Sequence, residues 1–451
     1  MPLTSPARPT VAVIGAGVAG LTAAHVLRRR YDVTLFEADD RLGGHAHTHE
    51  LPASDGGVVG VDSGFIVHNT RTYPTLLRLF AELGVATQES EMSMSVRCEG
   101  CGLEYAGARK LGGLFPQWAN LARPAYLRML GEVLRFHRHA RRVLADPGGR
   151  DDGPTRDLGL QRVSRGLVPP ARAEDITLGE FLAIGGYSRY FTEHFVLPVV
   201  ACVWSAGEAV SAAYPARYLF TFLDHHGLLS VGGSPRWRTV VGGSARYVER
   251  VAKGLGAVAV STPVRAVVRR GDGGVEIRDD ADTVHRADRV VIATHADEAL
   301  ALLAQPTPDE RAVLGAFSYS RNTTQLHHDA SVLPRRPRAG ASWNYLKPAC
   351  ATAPDAPVLV SYDMNRLQRL AEPDDHVVTL NGTDLVDARK VVATMQYAHP
   401  VYTRASLAAQ RRLPELNDGT VAYAGAYHGW GFHEDGCVAG VRAAASTGVV
   451  W

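Results

Sequence analysis

The sequence predicts an α/β protein in which a parallel-sheet domain is interrupted by an inserted domain of mixed α+β character. Three observations carry this. The apolar run Val11–Ile14 leads through a glycine-rich turn into a helical pattern from Leu21 to Leu27, the order strand, tight turn, helix of a parallel unit. Strand-like segments return far downstream at Asp288–Ala293 and Thr420–Gly425, so the sheet must be assembled from distant pieces. The stretches 85–230 and 305–405 differ in character from those pieces. The expected division is 1–84, 231–304 and 406–451 for the sheet domain, with 85–230 and 305–405 forming the insertion.

At 451 residues, 46% hydrophobic and 21% charged, the chain can bury a large core. Lys plus Arg (48) almost cancels Asp plus Glu (46), which argues against a nucleic-acid partner. Residues 1–10 lack the basic start and apolar run of a signal peptide. No stretch approaches the roughly 20 apolar residues of a membrane span, and five cysteines are too few and scattered for a disulfide framework. A cytoplasmic location is expected.

In Gly15-Ala-Gly17-Val18-Ala19-Gly20, the first glycine permits a tight turn, the second lets backbone approach a pyrophosphate, and the third lets helix pack on strand. The second strand, Asp32–Phe36, ends at Glu37, where a carboxylate can accept both ribose hydroxyls, with Ala38 beside it. Strand, turn, helix and acidic residue together predict a Rossmann-like dinucleotide site. FAD, held non-covalently, is favoured over NAD by Arg41-Leu-Gly43-Gly44-His45-Ala-His47-Thr48, a second glycine pair with Arg41 as a charge partner for phosphate.

With these residues the sequence resembles the flavin-containing amine oxidase superfamily, which includes phytoene desaturases and protoporphyrinogen oxidases. The resemblance implies a glutathione-reductase type, amine-oxidase-like fold. It implies that Val264 backbone meets the adenine and that Ala293 and Thr294 close the cofactor domain. Gly425 and the helix from near Asp435, with His433, Glu434 and Gly436, are implied to face the flavin, where a helix dipole favours negative charge. More narrowly, Gly43-Gly44-His45, Asp62-Ser-Gly64-Phe65, Trp343-Asn344-Tyr345 and Gly431–Gly436 resemble bacterial FAD-binding oxidoreductases associated with cyclopropane fatty acid synthases. That likeness adds Asp62, Gly64 and Phe65 to the cofactor set and implies an apolar or lipid substrate, an unsaturated or cyclopropane acyl chain.

Other signals are weighed against plainer readings. Cys98-Glu-Gly-Cys101 reads as a hairpin turn; structural zinc needs four ligands and no second pair is visible, so no metal is expected. The Arg-rich stretch 118–143 fits a peripheral membrane contact, or equally a solvated helix whose apolar stripe packs inward. Leu144–Pro170 reads as a surface loop, and Thr177-Leu-Gly-Glu180 as a capping box. Among the histidines near both cofactor segments (His45, His47, His49, His68, His428 and His433), each taken singly reads first as a hydrogen-bonded structural residue. His428 and His433, with Glu434, are the catalytic candidates, because imidazole titrates in the working range, while Glu434 and Asp435 read as helix-capping groups as much as catalysts.

Three functions are consistent with these residues. The first is hydride transfer at flavin N5 on an apolar substrate, by dehydrogenation, saturation or isomerisation. The second is amine oxidation with release of hydrogen peroxide, for which no lysine stands near Asn322–Gln325 and to which Tyr427 and Trp430 would contribute an aromatic cage. The third is a non-catalytic flavin-binding partner of a lipid methyltransferase.

Overall fold

Val11 to Ile14 are all buried, as a strand covered on both faces requires. The computed structural model describes residues 8–107, 110–145, 176–230, 232, 234–271, 273–351, 353 and 356–451. The loop expected over 144–170 lies almost wholly outside the described residues.

In chain order the elements that position the site are β1 (Thr10–Ile14), α1 (Val18–Leu27), β2 (Asp32–Phe36), the hairpin of β3 (Thr48–Pro52) and β4 (Val58–Asp62), α2 (Pro74–Leu83), and the hairpin of β5 (Met94–Cys98) and β6 (Leu103–Gly107). They continue with α3 (Pro124–Ala145), α4 (Leu197–Trp204), α5 (Ala216–His225), α6 (Ala245–Ala252), β7 (Ala257–Ala259), β8 (Arg289–Ile292), β9 (Ser318–His327) and β10 (Trp343–Lys347). The last are β11 (Val360–Asp363), β12 (Val377–Leu380), β13 (Val391–Val401), β14 (Val421–Tyr423) and α7 (His433–Ser446).

The first sheet is parallel throughout, in the order β7-β2-β1-β8-β14. Val13 lies between Leu35 of β2 and Val291 of β8, so the central strand pairs with residues from opposite parts of the chain. All three side chains are fully buried, each worth about 1.5–3 kcal/mol. On one face, α7 packs against α1. A Cβ at Gly436 would lie 2.6 Å from Val18 Cγ1, and one at Gly440 would overlap the Ala19 carbonyl, so both glycines allow close helix approach. This corrects the expectation that Gly436 meets the cofactor. Helix α7 begins at His433, two residues before the expected start, and the Asp435 carboxylate in its first turn reaches back to accept the Phe432 N–H at 2.9 Å.

The second sheet, in the order β13-β9-β12-β11-β10-β5-β6, is antiparallel except where β10 runs parallel to β5. Helices α3, α4 and α5 share a core with it that includes Val96, Tyr105, Met129, Phe136, Val200 and Phe220. On α3 the buried positions Tyr126, Met129, Phe136, Ala140 and Val143 recur at helical spacing, so the apolar stripe packs inward. The Thr177 capping box forms: Glu180 donates its N–H to Thr177 Oγ1 at 3.2 Å and accepts the Thr177 N–H at 2.7 Å. Among the described residues no helix is long and apolar enough to cross a membrane.

Candidate active site

The turn from β1 into α1 is built by Gly15, whose φ of +94° a side chain would strain and whose N–H bonds the Phe36 carbonyl at 2.8 Å. Gly17 is the N-cap of α1, and neither a capping side chain nor an acidic residue occupies the first turn. The helix N–H groups there stay open to an anion. A Cβ added at Gly17 would meet nothing within 4 Å, whereas one at Gly44, at φ +56°, would lie 3.2 Å from Gly17 Cα. The two glycine segments therefore meet and leave an open cradle. Arg41 donates Nη2 to the Gly44 carbonyl at 2.9 Å, while its buried Nη1 has no hydrogen-bond partner among the described residues, as expected where a phosphate would complete it. At the end of β2, Glu37 accepts the Ala16 N–H at 2.7 Å and the Asp39 N–H at 3.0 Å, which fixes the carboxylate and leaves further lone pairs for ribose hydroxyls. These residues fit FAD.

The cradle opens into a cavity of about 1910 Å³. Of the residues expected from sequence, Gly15, Gly17, Val18, Ala19, Glu37, Ala38, Arg41, Gly44, His45, Gly64, Phe65, Val264, Ala293, Thr294, Gly425 and His433 line it. The cavity extends past them between the second sheet and the helices, walled by Met94, Val96, Leu130, Val133, Val199 and Val203 among others.

Eight expected residues do not line this cavity. Gly20 and Gly43 are packing and turn glycines whose Cβ would overlap the Gly15 and Ala46 carbonyls. Thr48 and Asp62 face away into a buried knot: Asp62 accepts the Thr48 hydroxyl at 2.6 Å, the Ser244 N–H at 2.9 Å and hydroxyl at 2.8 Å, and Gln368 Nε2 at 3.2 Å. They tie the β3–β4 hairpin to α6, and burial raises the Asp62 carboxyl to about 6 against the pull of those donors. Glu434 accepts the Thr75 and Leu76 N–H groups at 2.9 Å each, capping α2. With Asp435, Glu434 and Trp430 line a separate cavity of about 370 Å³. Gly436 is a packing glycine, as above. His428 lines neither cavity.

The histidine expectation is corrected as well. Burial drives His428 and His433 to about 3, so both are neutral in the working range rather than titrating in it. His433 does line the main cavity, stacked on Phe65 at 3.6 Å and hydrogen-bonded through Nε2 to Tyr247 Oη at 3.1 Å.

The fold brings other groups to the cavity that sequence reasoning missed. His45 stacks on Tyr397 at 4.8 Å and lies 5.4 Å from the His399 ring, while His295 stacks on Tyr319 at 4.3 Å. Tyr397 and His399 are two apart on β13 and so share a face, the only signal a sequence could offer for them. Asn322 Nδ2 lies 3.1 Å from His399 Nδ1. Burial lowers His45 well below its usual range and His399 to about 4, leaving neutral imidazoles that orient rather than charge the site.

These features define a dinucleotide cradle joined to a largely apolar substrate space. The chain belongs to the family of flavin-containing amine oxidoreductases, whose model matches residues 18–327. It is an FAD-dependent oxidoreductase. It is 25% identical over 369 residues to AofH of Mycobacterium tuberculosis, named as a flavin-containing monoamine oxidase, covering 79% of this chain and 70% of that protein. Similar solved structures include putrescine oxidase bound to putrescine, at 17% identity and TM-score 0.66 over 98% of this chain and 99% of that one. Another is a CLA-producing fatty acid isomerase from P. acnes, at 16% identity and TM-score 0.68 over 98% and 99%.

Proposed function

We propose that the substrate is an apolar acyl chain, unsaturated or cyclopropanated, that is dehydrogenated, saturated or isomerised in the main cavity. The observation that carries this reading is the continuity of the cofactor cradle with a long space whose far walls are Met, Val, Leu and Phe side chains. Bound FAD supplies hydride acceptance and donation at N5 and needs no protein nucleophile. The chain contributes a dry trough, and the Tyr319 and Tyr397 hydroxyls and the neutral His45 and His399 rings orient the reacting end.

Amine oxidation, the reading favoured by the likeness to AofH, is the alternative. Against it, the described residues lining the main cavity include no lysine, and Trp430 lines the smaller cavity instead of pairing with Tyr427 in the main one. Entry from a membrane surface is part of the proposal. Leu134 of α3 both lines the cavity and stands 52% exposed, and Trp118, at the start of the same arginine-rich stretch 118–143, is 85% exposed.

The test is an anaerobic visible spectrum of the holoenzyme mixed with vesicles of mono-unsaturated or cyclopropane phospholipid, with an amine panel alongside. Dehydrogenation is expected to bleach the flavin, saturation to reoxidise flavin reduced beforehand, and isomerisation to leave its colour unchanged while mass spectrometry or NMR of the recovered lipid shows the converted acyl chain. Bleaching by amines alone, with peroxide on readmission of air, would overturn the acyl reading in favour of the alternative.

A further inference from the structure

The cysteine pair at the β5–β6 turn is not isolated in space. Cys98 ends β5, Cys101 stands in the turn, His194 lies on the turn of π-helix Thr192–Val196, and Cys350 follows β10. The four ligand atoms all lie within 4.8 Å of one another. Cys98 Sγ to Cys350 Sγ and Cys101 Sγ to His194 Nε2 are both 3.7 Å. A tetrahedral zinc ion with bonds of about 2.3 Å to sulfur and 2.0 Å to nitrogen has ligand edges of roughly 3.5–3.8 Å. A disulfide would need sulfurs about 2.05 Å apart, and all five cysteines are free.

We infer that Cys98, Cys101, His194 and Cys350 form a structural zinc site. Three soft thiolates and one imidazole suit zinc, and with all four positions supplied by protein no open position remains for catalysis. Binding displaces the thiol protons to solvent. The surroundings are arranged for it. His194 Nδ1 lies 3.1 Å from the Tyr190 carbonyl, which sets the tautomer that presents Nε2 to a metal. The Cys101 N–H faces the Cys98 sulfur and the Leu103 N–H the Cys101 sulfur. A Cβ at Gly100 would lie 2.6 Å from the Cys350 nitrogen, so the turn packs directly on the segment that brings the third cysteine. Arg123 Nη2, 3.5 Å from the Gly102 carbonyl, places a cation beside a centre whose net charge would be negative.

The site joins three segments remote in sequence, and His194 immediately precedes Phe195, Val196 and Val199 of the cavity wall. Zinc would thus pin the helical wall of the substrate space to its sheet. The expectation of no metal rested on the search for a second cysteine pair; the missing ligands are a histidine and a single cysteine.

The test is metal analysis of the holoenzyme, produced without a polyhistidine tag in zinc-supplemented medium. About one zinc per chain should survive gel filtration. Cys101→Ser and His194→Gln should each cut it to a small fraction, while Cys437→Ala, in the cofactor domain, keeps it. Should those variants fail to fold, the wild-type protein, stripped by chelator and given Co2+, should show the d–d bands of tetrahedral cobalt–thiolate coordination in the red, beyond the flavin absorption. Wild-type protein with no retained zinc and no cobalt bands, whether its thiols react as free groups or mass spectrometry finds a Cys98–Cys350 disulfide, would overturn the proposal.

Discussion

Gly17 has no side chain where a side chain would project into the cradle. Filling that space with Gly17→Val should cost FAD binding the energy of overpacking, about 1–3 kcal/mol, and so lower its affinity roughly tenfold to a hundredfold. Flavin absorbance after gel filtration reads the outcome, with circular dichroism to show that the fold remains; stoichiometric yellow protein would refute the cradle. Gly15, Gly17, Glu37 and Arg41 were legible because their roles follow from neighbours a few residues away. Asp62 and Thr48 were misread for the opposite reason. They are close in sequence to cavity-lining Gly64 and His45, yet sequence does not say whether a side chain at a strand end turns toward the cofactor or toward α6. His399 and Tyr397 went unseen because only the pairing of β9 with β13 carries them to the cavity.

Helix α2 begins with Pro74 and has no side-chain cap of its own. Its first free N–H groups are met by Glu434 from the start of α7, so of the two roles the sequence offered for this residue, helix cap and catalyst, the cap is the one it fills, and it joins two helices. Glu434→Ala should lower stability by about 1 kcal/mol, the usual loss of a cap, seen as a lower melting temperature with flavin content and turnover of substrate retained. An unchanged melting temperature with lost turnover would restore a catalytic role. Elements governed by local chemistry were readable from sequence: the glycine turn, the Thr177 box and the β5–β6 hairpin. The metal-type cluster was not, because its ligands come from three elements that meet only after β10 aligns beside β5, with Lys347 opposite Cys98.

Across the whole molecule, buried imidazoles dominate the response to acid. His47, His428 and His433 are lowered to about 3, and His68, His137, His226, His327 and His399 to about 4, in each case chiefly by burial. The same groups in an unfolded chain titrate near 6.5, so their contribution is complete above that pH and is lost as pH falls through the window toward 4. Asp62 and Asp435, raised by burial to about 6 and about 7, act in the other direction, giving stability at low pH that fades as pH rises through those values. Eight groups outweigh two. The melting temperature should therefore drop steeply between about pH 6.5 and about pH 5, and a flat profile over that range would contradict the burial of these rings. The parallel sheet has a consequence for synthesis. Until β8 is made, β1 has β2 on one side and an open row of amide and carbonyl groups on the other. Translation at about 5–20 residues per second leaves that edge bare for a time on the order of tens of seconds. An uncovered edge invites pairing with other chains, so expression yield should rise with added chaperone more than the stability of the finished enzyme would suggest.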